Sequence, residues 1–134
     1  MARDAGAEQK VDDAQALMET ANLRLKAAQA RTEFAKRFIG ARQADVDRAK
    51  FHVELAEKKV EQAKMQALRD HSIPAASKYD PGAIDSRVAN MERQLEKLDQ
   101  KLRTAELESQ NAQQVWVDIN RRYEARAGTV SPRG

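Results

Sequence analysis

The chain of 134 residues has no cysteine, which excludes disulfides, thiolate metal sites and a catalytic thiol. Proline occurs three times and glycine five, so between Gly6 and Pro74 only Gly40 offers a turn-former of either kind. Aromatic residues make up 4%. No apolar run approaches the roughly 18 residues a membrane-crossing helix needs, and Met1-Ala2-Arg3-Asp4 lacks the apolar core of a signal peptide. Neither sign of charge dominates: 24 basic residues stand against 21 acidic, for a net +3. The two signs interleave along the chain, the pattern of a solvated helical surface more than of a nucleic-acid or anionic-membrane face. The expected compartment is the cytoplasm for a complete chain. For a mature chain trimmed of a signal or lipid anchor it is the periplasm or cell envelope.

What is present is a seven-residue rhythm. Val11, Met18, Leu25, Thr32, Ile39, Val46, Val53, Val60 and Ala67 recur at one position. Three residues on, Ala14, Ala21, Ala28, Ala35, Arg42, Ala49, Ala56 and Ala63 recur at another. A 3-4 alternation held this long is the seam of a coiled coil. The phase passes Gly40 unchanged, and one interior glycine costs only about 1 kcal/mol. The spacing therefore predicts one helix over about residues 5–71, roughly 95 Å long at 1.5 Å per residue. Pro74 ends it, with a connection over 72–80. Asp80-Pro81 restarts a second helix, as N-cap and first helical position.

The second helix, about 81–127, has its own alternation. Val88, Leu95, Leu102, Ser109, Trp116 and Tyr123 interleave with Ile84, Met91, Leu98, Ala105, Ala112 and Ile119. Gly128 is the expected stop, followed by a disordered tail over 129–134. The predicted fold is all-α, an elongated antiparallel two-helix coiled-coil hairpin over 1–128, with two hairpins pairing into a four-helix bundle or dimer. Lys36, Lys50 and Lys64 beside the first seam, and Asp85, Glu92, Asp99 and Glu106 beside the second, favour antiparallel pairing. The alanine-rich seam resembles the close antiparallel pairing known as an Ala-coil, and the resemblance implies a short interhelical distance.

On this pairing the shorter second helix covers the first only from about Ala28 onward. Phe38, Ile39, Trp116, Ile119 and Tyr123, with Phe34 alongside, form a core anchor. Arg42 interrupts the alanines within the seam and reaches toward Asp45, Glu106 or Glu108. Leu23, Phe34, Phe51 and Leu55 fall on a second stripe around the back. Together with Val11, Leu17, Met18 and Leu25 of the uncovered first turns, they are the candidate self-association residues, since a lone helix of that length is marginal in water. Ile73 and Tyr79 in the connection are candidate partner contacts.

No catalytic constellation is legible. His52 and His71 lie about five turns apart, too far to share a metal. Pairs such as Glu33 with Arg37, Glu54 with Lys58, Asp99 with Arg103 and Asp118 with Arg122 have the i,i+4 spacing of surface support. No enzyme activity, metal or cofactor is expected. The expected function is that of a structural or interaction protein, a self-associating scaffold, spacer or adaptor. Its expected partners are a second copy or another protein. Hairpins of this general build occur in secretion-apparatus stalks, envelope lipoproteins and efflux adaptors. The alternative is nucleic-acid or anionic-surface binding through Arg121, Arg122 and Arg126 beside Tyr123, with Arg24, Arg31 and Lys36 nearby.

Overall fold

A computed structural model describes residues 5–71 and 81–130. Helix α1 spans Ala5–Asp70 and helix α2 spans Pro81–Val130; the chain is all-α, an antiparallel two-helix hairpin with no strand among the described residues. The expected connection over 72–80, with Ile73, Pro74, Tyr79 and Asp80, lies outside the described residues, as does 131–134.

Helix α1 runs through Gly40 without a break. A Cβ there would meet nothing within 4 Å, so neither a close approach nor a turn calls for the glycine. Helix α2 runs on through Gly128 to Val130, beyond the expected stop. Gly128 does not take the left-handed backbone of a glycine cap, so nothing at that position ends the helix.

The hairpin divides into two compact units. The first joins Met1–Phe38 to Leu107–Gly134. Its two helical segments run antiparallel: Arg37 Nη1 donates to Glu108 Oε2 at 3.1 Å, the Phe34 ring lies on the Trp116 indole, and Arg126 pairs with Glu19. Ala27 and Ser109 are buried; Ala16, Thr20, Leu23, Ala30 and Phe34 of α1 and Ala112, Trp116, Ile119 and Tyr123 of α2 are half-buried. The cover expected to begin near Ala28 thus reaches Glu19, because the register brings Arg126 onto it. The second unit is Ile39–Glu106. Arg48 pairs with Asp99, Lys59 with Glu92 at 3.2 Å, and Gln62 Nε2 donates to Asp85 Oδ1 at 2.7 Å. Ala41, Ala44, Leu55, Met65 and Val88 are its buried apolar residues.

In both units the face of α1 that meets α2 is the less regular one. Leu55, placed by its spacing around the back, is 2% exposed. Leu23, Phe34 and Phe51 are half-buried with it, which corrects their assignment to an outer self-association surface. Conversely, Val11, Met18, Leu25, Ile39, Val46, Val53 and Val60 are all exposed, and so are the alanines between them. Ile39, expected in the core anchor, is 66% exposed, and Arg42 stands on the exposed face and not in the seam. The physical reason is area. The stripe that packs sets Leu23, Phe34, Phe51, Leu55 and Met65 among its alanines, whereas the regular stripe sets mostly valine among its own. At about 25 cal/mol per Å² of apolar surface buried, the bulkier stripe gains more. It also presents Arg48 to Asp99. The acids of α2 are consequently met by Arg48, Lys59 and Gln62, and not by the expected Lys36, Lys50 and Lys64.

Candidate interaction surfaces

Two kinds of surface are left after the hairpin closes. One is an open groove of about 740 Å³ within the first unit, lined by Arg24, Ala27, Ala28, Arg31, Thr32 and Ala35 of α1 and by Trp116, Asn120 and Tyr123 of α2. Its back wall follows from packing. Ala27 is buried, and at small residues of this kind the neighbouring helix leaves room for the indole of Trp116. The ring stacks on Phe34 with centroids 5.8 Å apart and planes 13° apart. Phe34 in turn meets Phe38 edge-on at 6.0 Å, though Phe38 remains 43% exposed. The Arg31 guanidinium carbon lies 5.9 Å from the Trp116 ring centroid, within the range where a cation is attracted to the indole face. The groove therefore joins positive charge to aromatic surface.

The basic cluster at the end of α2 is more divided than its sequence suggested. Arg126 is tied to Glu19, while Arg121 and Arg122 are exposed. Several expected i,i+4 pairs are also rearranged. Glu33 does pair with Arg37 at 2.9 Å. Lys58, however, takes Glu61 at 2.9 Å, Asp99 is drawn to Arg48, and Asp118 accepts from Gln114 at 2.9 Å. Exposed pairs of this sort contribute little each.

The other surface is the outward face of α1, present in each unit separately. In the first unit it carries Val11, Met18 and Leu25, with Leu17 at its edge. Thr32 continues it: its hydroxyl donates to the Ala28 carbonyl at 3.1 Å, which satisfies the hydroxyl within the helix. In the second unit the face is Val46, Val53 and Val60, exposed at 45%, 58% and 53%. Ala49, Ala56 and Ala63 separate them.

Among the described residues no group of three or more His, Cys, Asp or Glu gathers to hold a metal ion, and no buried side-chain polar atom lacks a hydrogen-bond partner. No described helix is long and apolar enough to cross a membrane. The chain matches no protein-family model, no curated protein sequence and no solved structure.

Sequence reasoning found the apolar rhythm of α1 but assigned it to the wrong side. It missed Arg48 as the residue that meets Asp99 and Asn120 as part of the groove. Arg48 was findable. It lies on the same stripe as Ala41 and Leu55 at seven-residue intervals, opposite a row of acids on α2.

Proposed function

We propose that the chain is a non-enzymatic interaction protein, a scaffold or spacer in which α1 serves two partners at once. Its bulky face closes the hairpin against α2, and its valine-alanine face docks a further helix. The observation that carries this reading is the outward row Val46, Val53 and Val60, apolar and exposed with small residues between. Isolated apolar side chains on a surface need no explanation, but a row of them at helical spacing is the mark of an interaction site. The period of seven also favours a helical partner over a flat surface. Such a stripe drifts about 20° per repeat around a straight helix, and only a partner that winds with it stays in contact.

The test is chemical accessibility. Val53→Cys places a single thiol on this face, and its alkylation is timed in purified dilute protein and in lysate of the producing cells. Docking predicts alkylation at least about tenfold slower in lysate, since burial suppresses thiol reactivity. Equal rates in the two would contradict it.

A second reading draws on the groove, where Arg24 and Arg31 stand beside Trp116 and Tyr123. Cationic and aromatic groups together suit single-stranded nucleic acid or another polyanion. Retention on heparin that falls steeply with salt and weakens in Arg24→Ala/Arg31→Ala would support it. Salt-independent or absent retention would remove it.

A further inference from the structure

We propose that the outward face of α1 in the unit Ile39–Glu106 pairs antiparallel with the same face of a second copy, in the register that sets Val53 of one against Ala56 of the other. This rests on the docking reading above and names its partner.

Layer geometry supplies the first argument. In that register Val46 opposes Ala63 of the second copy, Val53 opposes Ala56, and Val60 opposes Ala49. Each layer occurs twice by symmetry, and each combines one valine with one alanine. These Val–Ala layers then have the same volume, and the two backbones can approach evenly along them, toward the low end of the usual 8–10 Å. Arg42 falls at the margin, opposite Ala67, where a long side chain can run out to water. In-register parallel pairing would alternate Val-Val with Ala-Ala layers and bring Arg42 against Arg42.

Charge supplies the second argument. Lys50 and Glu57 flank this face, both exposed, and neither takes part in an ion pair among the described residues. In an antiparallel pair, residues at their heptad position meet their own kind across the interface. The proposed register sets Lys50 against Glu57 of the second copy, twice. The remaining flanking contacts, Gln43 with Lys64, Asp45 with Gln66 and His52 with Lys59, bring no two acids and no two lysines together. A slip of one heptad in one direction places Lys50 against Lys50. A slip in the other direction places Lys50 against Lys64 and Glu57 against Glu57. In-register parallel pairing sets Lys59 against Lys64, a repulsion that offsets the attraction of its Asp45–Lys50 contact, whereas the proposed register gains Lys50–Glu57 with no such offset. The charges therefore select one direction and one register, although each exposed pair is individually weak.

The absence of native cysteine makes cross-linking clean. Val53→Cys and Ala56→Cys proteins, mixed and oxidised in air, are expected to form a disulfide from position 53 of one copy to position 56 of the other. Dominant coupling of Val53→Cys to itself would mean parallel pairing, and preferential coupling of Val53→Cys to Ala49→Cys would mean the slipped register; either overturns the proposal. Light scattering adds a charge test. Glu57→Lys should raise the dimer Kd about tenfold, and Lys50→Glu/Glu57→Lys should return it to within about twofold of the parent. Failure of the double swap to restore pairing overturns the register. Alkylation of the Val53→Cys thiol in purified protein separates this proposal from the docking reading. Protection that grows with protein concentration supports self-pairing. Protection in lysate alone overturns self-pairing and leaves docking intact, and protection in neither overturns both.

Discussion

The Phe34 ring and the Trp116 indole lie nearly parallel across the two helices, 5.8 Å between centroids. This contact joins α1 to α2 in the unit Met1–Phe38 with Leu107–Gly134, and it replaces what aliphatic layers do elsewhere along the helices. Stacked pairs contribute about 0.5–1.5 kcal/mol beyond the area they bury. Trp116→Ala is expected to destabilise the protein by about 2–3 kcal/mol, short of the ~3–5 of a fully buried tryptophan because the indole is only half-buried. Denaturant titration followed by circular dichroism would measure it, and a loss below about 0.5 kcal/mol would mean that the stack is not a structural contact.

Among the described residues Arg48 and Asp99 are the least exposed ion pair joining the helices, with side chains 35% and 29% accessible. A double-mutant cycle over Arg48→Ala and Asp99→Ala should give a coupling of about 1 kcal/mol, at the upper end for accessible pairs. Raising the salt from about 0.1 to 1 M shortens the screening length from about 10 to 3 Å, so the coupling should shrink. A coupling indistinguishable from zero at low salt would contradict the pairing.

Gly40 sits inside α1 with open space where a side chain would stand. Gly40→Ala should therefore stabilise the chain by about 1 kcal/mol, through helix propensity and a less flexible unfolded state. Calorimetry would record this as a rise in Tm. A fall would mean that the native backbone needs glycine at that point and that the helix does not run through it.

The helices and their antiparallel direction were legible in the sequence. Proline and glycine were nearly absent from two long stretches, and a connection of about ten residues favours antiparallel neighbours, although the charges expected to select that direction meet other partners. The rotation of α1 was harder to read, because regularity and burial diverge along it. Val46, Val53 and Val60 keep perfect time, yet they carry little area. Phe51 and Leu55 keep time less visibly, with Arg48 and Lys58 among them, but bring larger side chains to α2. A strict repeat records a constraint on a helix face and does not say which neighbour imposes it. The groove beside Trp116 was legible only in part, with Arg24 and Arg31 expected near Tyr123 but its full lining not. Its walls come from residues on two helices, and their meeting depends on a register that spacing within either helix cannot fix.

The two-faced character of α1 is tested most directly by comparing Leu55→Ala with Val53→Ala under equilibrium denaturation, at protein concentrations dilute enough to suppress association. Leu55 is 2% exposed and Val53 58%. The expected cost is about 2–4 kcal/mol for Leu55→Ala and within about 0.5 kcal/mol of zero for Val53→Ala. The reverse order, with Val53→Ala the more damaging, would mean that the regular stripe faces α2 and that the outward docking face does not exist.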